Sequence, residues 1–260
     1  MICLLLEYLF PKKQRTQSRK VRWLNNLGIV GLNSMVLALI MPMLAFEFSL
    51  LIQHKQFGLI HNLLTPITSP WYQGIVILSC IVLLDAIIYI QHVITHRLPI
   101  LWRFHRMHHS DQDIDVTTGS RFHPVEIIFS MFIKLFVIAF FGIPPIAILI
   151  FEIILNGSAM FNHSNLSLSS NVDKRLRRWV VTPDMHRIHH SIHANETHSN
   201  FGFFLSIWDR LFHTYIATPK EGHQNMVIGI PLFQHAREQW LDKMLTQPFR
   251  KKEKSGKNNE

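Results

Sequence analysis

Apolar residues form three long stretches along the chain, with polar and basic segments between them. The first runs roughly from Leu27 to Leu51, the second from about Tyr72 to Ile90 and the third from Val125 to Leu155. The first stretch is long enough to cross a bilayer as a helix. The third is interrupted by Gly142-Ile143-Pro144-Pro145, which predicts the turn of a helical hairpin. Because each arm of this hairpin has only about 15–17 residues, it could dip into the membrane without crossing it fully.

The basic residues lie in three polar segments that flank these stretches, at 12–22, 97–121 and 173–187. The positive-inside rule places all three in the cytoplasm, and it places the weakly charged segments 52–71 and 142–145 on the other side or inside the protein. We therefore predict an all-α fold, an integral-membrane helical bundle with a cytoplasmic helical cap.

Composition supports a membrane protein with one main domain. Hydrophobic residues make up 48% of the 260 positions, and the formal net charge is +9. Together with the apolar stretches, this charge favours an anionic membrane surface over nucleic acid as the partner. We predict an N-terminal interfacial and basic segment at 1–22, a membrane domain at 23–218 and a C-terminal polar tail at 219–260, charged from Arg250 and expected to be disordered. The apolar start is interpreted as a shortened membrane segment or an interfacial anchor.

Two charged residues interrupt the predicted hairpin at almost equal distances from its turn. Lys134 and Glu152 could form an ion pair between the two arms. Alternatively, Lys134 could extend along its own alkyl chain towards the membrane surface. The sequence leaves both possibilities open.

Histidines form three short patterns that suit metal binding. One pattern is HxxxH and two are HxxHH, formed in chain order by His92 and His96, by His105, His108 and His109, and by His186, His189 and His190. Helix positions i, i+3 and i+4 share one face, so each pattern directs its imidazoles the same way. All three lie on the predicted cytoplasmic side, where they form the histidine-rich part of the cap and can converge on one site.

The number of histidines indicates two metals rather than one. A zinc ion takes four ligands, and the patterns contain eight histidines. Neutral imidazole binds iron, copper and zinc alike, so the spacing does not choose the metal. Asp85 lies on the same helical face as His92, and it could orient a ligand histidine by a hydrogen bond or serve as a helix cap or interhelical hydrogen-bond partner.

The chain resembles the fatty acid hydroxylase/sterol desaturase superfamily over roughly residues 20–215. The matching segments are DAIIYIQHVITHRLPILWRFHRMHHSD at 85–111, RFHPVE at 121–126, FNHSN at 161–165, TPDMHRIHHS at 182–191 and NFGFFLSIWDRLFHTY at 200–215. The resemblance implies a helical membrane protein with two histidine-bound iron ions. It further implies hydroxylation or desaturation of a lipid or sterol-like substrate with O2 and external electrons.

The same resemblance adds residues to the site. His163 is the ninth ligand that it implies, and His123 is either a further ligand or an anchor for the helix that starts at Pro124. Asp184, Trp208 and Asp209 are identified as supporting residues, with Asp184, like Asp85, placed behind the ligand histidines. His193 and His198 match no family position, and His213 stands where relatives commonly have a small residue.

The resemblance also bears on the partners of the predicted enzyme. No fused haem domain is evident, so a separate protein would have to donate the electrons, and the lipid substrate would come from the bilayer. Alternatives are a membrane zinc transporter or metal-binding protein, and a lipid-binding scaffold. A transporter would hold its ligands at mid-membrane, whereas these patterns lie at helix ends and in polar segments.

Overall fold

The computed structural model describes residues 2–64 and 69–250, and these residues fold almost entirely as helices. In chain order, the α-helices are α1 (Ile2–Leu9), α2 (Arg19–Ile40), α3 (Ala45–His54), α4 (Leu59–Leu64), α5 (Pro70–Arg97), α6 (Pro99–His109), α7 (Pro124–Phe141), α8 (Pro145–Asn162), α9 (Ser170–Leu176), α10 (Pro183–His189), α11 (Ala194–Thr197), α12 (Ile207–Leu211), α13 (Gly222–Asn225) and α14 (Leu241–Thr246). Three 3-10 helices cover Val116–Ser120, Ala236–Gln239 and Gln247–Phe249. The described residues contain isolated β-bridges but no β-strand, so the predicted all-α fold is confirmed.

Four helical segments of the described chain are long and apolar enough to cross a membrane: Arg19–His61, Pro70–Arg97, Pro124–Phe141 and Pro145–Asn162. The chain is therefore an integral membrane protein. Within the first segment, α2 ends at Ile40 and α3 begins at Ala45. Pro42 lies between them, and it cannot continue a helix because it has no backbone N–H group. The first apolar stretch thus becomes two helices.

The predicted hairpin is formed by α7 and α8. Gly142 ends α7 in the left-handed conformation, with φ of 70°, and Pro145 begins α8. A side chain at Gly142 would place its Cβ 2.7 Å from the carbonyl oxygen of Phe57. Glycine is therefore needed both for the turn and for the close approach of the neighbouring loop. Each arm has 18 residues, slightly more than the sequence pattern suggested.

An apolar core joins α3, α5, α7 and α8. Its fully buried members include Ile138 on α7 and Ile148 on α8. Across this core, Lys134 and Glu152 form the ion pair that was one of the two predicted possibilities. Only 10% of the Lys134 side chain is exposed, so it forms this ion pair instead of extending along its own alkyl chain towards the membrane surface.

The segment from Ala236 to Phe249 packs against α2 and α6. Met244 is buried against Ile29 and Met107. Arg121 is also fully buried, and its guanidinium donates to the Gln239 side chain (2.9 Å). This segment covers one side of the histidine-containing helix α6. The predicted disorder from Arg250 concerns residues that lie, apart from Arg250 itself, outside the described part of the chain.

Candidate metal centre

Local sequence brings the first two histidine patterns face to face. Leu98, between α5 and α6, has an extended conformation (φ −87°, ψ 117°). Pro99 follows it, and proline disfavours the helical conformation in the residue before it. The chain therefore turns sharply after His96 and returns as α6, with the second pattern beside the first.

The remaining histidines come from two other helix ends. Thr182 caps α10 by accepting from the Met185 backbone N–H (3.3 Å), and Pro183 occupies the first helical turn. This start puts the third pattern on α10. His163 follows the last residue of α8 directly. The patterns and His163 thus converge at the ends of α5, α6, α8 and α10.

The nine histidines form two groups, within each of which the potential ligand atoms lie within 4.8 Å of one another. The five-histidine group contains His92, His96, His105, His109 and His189. The four-histidine group contains His108, His163, His186 and His190. All nine side chains are buried. The structure therefore brings together the eight patterned histidines and His163; their role as ligands remains a prediction.

Hydrogen bonds show which nitrogens face the centre of each group. His92 Nδ1 donates to the Phe201 carbonyl oxygen (2.8 Å), and His105 Nδ1 donates to Glu126 Oε1 (2.6 Å). The Nε2 atoms of these two rings then face each other 3.2 Å apart, and in the neutral tautomers both carry lone pairs. Two lone pairs at this separation repel each other unless a cation lies near both. This pair of atoms fits a metal position.

Further nitrogens in both groups have no hydrogen-bond partner among the described residues. They include Nε2 of His96 and His189 in the five-histidine group, and both nitrogens of His190 in the four-histidine group. A buried polar atom without a partner is costly, and metal coordination would remove that cost. The donor set therefore fits two bound metal ions.

Burial keeps these imidazoles in the neutral form that binds metals. The pKa of each of His108, His109, His186, His189 and His190 is lowered well below its usual value, first by burial and then by neighbouring histidines. Burial lowers the pKa of His163 to about 4. At neutral pH these rings offer lone pairs rather than positive charges.

Backbone carbonyl groups accept hydrogen bonds from two more histidine rings and so orient them. His163 Nδ1 donates to the Ala159 carbonyl oxygen (2.8 Å), and His189 Nδ1 donates to that of Ser199 (2.7 Å). Such bonds set the tautomer and direct Nε2 towards a metal. Sequence reasoning did not identify Glu126, which plays this part for His105, although the residue ends the quoted segment RFHPVE. Its contact with His105 depends on the packing of α7 against α6.

Asp85 and Asp209 hold the loop that precedes α12. Asp85 accepts from the Leu205 backbone (3.1 Å) and from Trp208 Nε1 (2.8 Å), and Asp209 accepts from the Phe201 backbone (2.7 Å). Among the described residues Asp85 makes no hydrogen bond to a histidine. Any orienting effect on His92 therefore passes through the loop whose Phe201 carbonyl accepts from that ring.

Three other residues singled out by the sequence lie around the groups. Asp184 contacts Arg187 and accepts from Lys12 Nζ (2.8 Å); burial alone would raise its pKa, but these cations hold the pKa below its usual value. His123 caps α7, and its Nε2 faces the Leu245 carbonyl oxygen at 3.3 Å, apart from both groups. The exposed His198 was matched to no family position, but its Nδ1 lies 3.3 Å from His96 Nδ1.

A cavity of about 360 Å³ extends from the histidines into the bundle. His92, His105, His108 and His186 line one end of it. Apolar residues such as Ile127, Met131 and Leu155 line its middle, and Lys134 and Glu152 lie farther along α7 and α8. The cavity connects the histidines with the part of the molecule that faces the membrane core.

Comparison with known proteins shows relatives that share this segment. The chain is 27% identical over 152 residues to the ornithine lipid hydroxylase OlsE of Rhizobium tropici, which covers 58% of this chain and 45% of the relative. It is 29% identical over 153 residues to the alkylglycerol monooxygenase of Xenopus tropicalis, covering 58% of this chain and 32% of the relative. It is 23% identical over 145 residues to the cholesterol 25-hydroxylase of Rattus norvegicus, covering 55% of this chain and 47% of the relative.

The chain thus spans less than half the length of each of these relatives. No solved structure matches it. Residues 76–214 match the fatty acid hydroxylase family. This segment contains all nine grouped histidines, the loop held by Asp85 and Asp209, and most of the cavity wall. Because it covers more than half of the 260 residues, the chain belongs to the fatty acid hydroxylase family.

Proposed function

We propose that this protein is a membrane-bound di-iron oxygenase that hydroxylates, or desaturates, a C–H bond of a lipid or sterol-like substrate. The observation that carries the proposal is the position of the two histidine groups. They lie buried at one end of a cavity whose walls are the apolar helices of a membrane bundle. An apolar substrate from the bilayer could reach the histidines through this cavity without contacting water.

The five-histidine and four-histidine groups would each hold one metal ion. Family membership favours iron, although the histidines alone would also accept zinc. Iron bound there would supply the activation of O2. In a hydroxylation, one oxygen atom enters the C–H bond and the other leaves as water, using two electrons and two protons from outside. In a desaturation, both oxygen atoms leave as water.

The protein's own residues position and shield this reaction. The Phe201 carbonyl and Glu126 accept hydrogen bonds from Nδ1 of His92 and His105 and so orient these rings, and the burial of both groups limits the access of bulk water to the reactive site. The apolar middle of the cavity would hold the alkyl part of the substrate. Asp85 and Asp184 support this arrangement indirectly, through the loop before α12 and through Arg187.

Electrons would come from a separate protein on the side where the histidine groups lie. Following the basic segments 12–22, 97–121 and 173–187, we propose that this side is the cytoplasm. The relatives act, by name, on an ornithine lipid, an alkylglycerol and cholesterol. We therefore propose a lipid or sterol as the substrate class.

Metal analysis combined with O2 consumption tests the proposal. The purified protein should contain two iron ions per chain and should consume O2 when given a reductant system and a suitable lipid. The double variant H108A/H189A removes one histidine from each group and should lose both metal and activity. Bound zinc without O2 consumption would support a metal-binding protein instead, and full metal retention in the double variant would contradict the two-metal site.

A further inference from the structure

The cavity beside the histidines contains hydrogen-bond acceptors that have no donor among the described residues. Asn33 donates its amide nitrogen to the Phe122 carbonyl oxygen (2.9 Å), so its amide oxygen must point elsewhere. That oxygen is buried and has no partner among the described residues, and Asn33 as a whole is only 7% exposed. Glu126 uses Oε1 for His105, and its Oε2 is likewise buried without a partner. Gln91 Oε1 is a third such atom.

These three acceptors lie at the histidine end of the cavity. All three residues line it. Asn33 is hydrogen-bonded to the carbonyl of Phe122, and the Phe122 ring stacks on His108 with ring centroids 4.6 Å apart. Gln91 directly precedes His92 on α5, and Glu126 contacts His105. A ligand that satisfied these acceptors would lie next to the proposed metal ions.

The wall of the cavity becomes apolar with distance from the histidines. Glu126 and Lys134 are eight residues apart on α7, which corresponds to about 12 Å along the helix. Between them the wall includes Ile127 and Met131, and Leu155 faces the same space from α8. Lys134 is already neutralised by Glu152. The cavity is thus rich in acceptors beside the histidines and apolar beyond them.

From this polarity we infer that Asn33, Gln91 and Glu126 bind the hydroxyl groups of a neutral lipid headgroup, while the alkyl chain follows α7 towards Lys134 and Glu152. A ligand that donates hydrogen bonds would satisfy these acceptors. A hydroxyl suits the site better than an ammonium group, because metal ions in the histidine groups would repel a cation. The substrate carbon nearest the histidines is then one beside the headgroup rather than the end of the chain. This inference rests on the proposed function.

Equilibrium binding of two matched probes tests the site directly. The probes are 1-O-hexadecylglycerol and its di-O-methyl ether, which has the same chain but no hydroxyl to donate. Binding is measured on the whole 260-residue chain loaded with zinc, which has no redox chemistry, so turnover does not interfere. We expect the free diol to bind about tenfold more tightly, since buried acceptors left without a donor weaken binding.

Substitutions of Gln91 and Asn33 test whether these side chains accept the hydrogen bonds of the diol. Gln91 is half-buried and makes no hydrogen bond to another described residue, so Q91L should fold normally and weaken diol binding about threefold to tenfold. Q91E keeps acceptor oxygens and should retain most of the affinity. N33L should have a larger effect, with metal content as the check on its fold. S34A is the matched control, because the Ser34 hydroxyl already donates to the Val30 carbonyl oxygen (3.0 Å).

The result that would overturn the inference is equal affinity for the two probes. Unchanged diol binding in both Q91L and N33L would do the same, since it would mean that water satisfies these acceptors. Failure of the proposed function is seen separately. A protein that binds the diol selectively but consumes no O2 when loaded with iron would contradict the oxygenase and leave the headgroup site intact.

Discussion

At the scale of single residues, each HxxHH pattern divides its histidines between the two groups. In the first pattern, His105 and His109 belong to the five-histidine group and His108 to the four-histidine group. In the second pattern the division is reversed, with one histidine in the five-histidine group and two in the four-histidine group. Each group therefore depends on both patterns, and the role of any histidine has to be tested by its own substitution.

His163 and His123 form a matched pair for such a test. His163→Ala should lower bound metal towards one ion per chain, because the four-histidine group keeps only three histidines. His123→Ala should retain both ions and lose the cap of α7 together with the contact to the Leu245 carbonyl oxygen, at a cost of about 1 kcal/mol of stability. Metal analysis and thermal unfolding of the two purified variants measure these effects. Equal metal loss in both variants would show that His123 is also needed for binding.

The lowered histidine pKa values predict acid sensitivity of the metal-free protein. The pKa of His163 is about 4 in the folded state and about 6.5 when unfolded. Between these values the unfolded state binds more protons, so stability falls as the pH drops below about 6.5 and stops falling near 4. At pH 5, His163 alone should contribute a loss of about 2 kcal/mol. Denaturant unfolding of chelator-treated protein at pH 5 and pH 7.5 measures this, and equal stability at both would contradict it.

Residue patterns predicted which histidines lie together, because helical spacing is a local property, while their role as metal ligands stays a prediction. The eight patterned positions needed only the periodicity of α5, α6 and α10, and His163 needed the family resemblance. The sequence did not predict the places of Glu126 and His198 in the site, because their contacts with His105 and His96 come from tertiary packing. Asp85 was singled out as an unusual charge in an apolar helix, but its hydrogen-bond partners could not be predicted, because they lie more than a hundred residues away, in α12 and the loop before it.

At the scale of elements, the close approach of the first 3-10 helix to the end of α8 helps to place His163. A Cβ atom added at Gly119 would lie 2.7 Å from the Ala159 carbonyl oxygen and 3.2 Å from His163 Nδ1. The Ala159 carbonyl is also the acceptor that orients the His163 ring. The spacing between these two elements therefore depends on the absence of a side chain at Gly119.

Gly119→Ala should consequently disturb the four-histidine group. We expect reduced metal occupancy and a loss of stability of about 1–3 kcal/mol, because the added methyl group overpacks a buried contact. Gly157→Ala on α8 is the control, since its added Cβ would meet nothing within 4 Å. Metal content and unfolding of the two variants are compared. Normal metal binding in G119A would show that α8 can shift without moving His163.

At the scale of the whole molecule, the fold combines a membrane bundle with a helical cap that holds the histidines. The hydrophobic pattern predicted the bundle and its hairpin, because long apolar helices have few alternatives in a bilayer. It did not predict the packing of Ala236–Phe249 against α2 and α6. That packing depends on single buried side chains such as Met244 and Gln239, which stand in a polar sequence without a clear period.

Cysteine labelling tests the proposed orientation of this molecule. Lys174 is exposed in one of the basic segments, and Lys55 is exposed in the weakly charged segment between the first two membrane stretches. In a variant without Cys3 and Cys80, K55C should react with a membrane-impermeant maleimide in intact cells, whereas K174C should react only after the cells are opened. The reverse pattern would place the histidine groups outside the cytoplasm.

The division of both HxxHH patterns between the two groups has a consequence for how the centre assembles. We expect that a metal ion bound in one group would hold α6 and α10 together and so place the remaining histidines of both helices for the second ion. Binding of the first ion would then include most of the entropy cost of ordering the two helices, and the second ion would bind with correspondingly higher affinity. Loading should then be cooperative, with fully loaded and metal-free chains prevailing over singly loaded ones at intermediate iron concentrations.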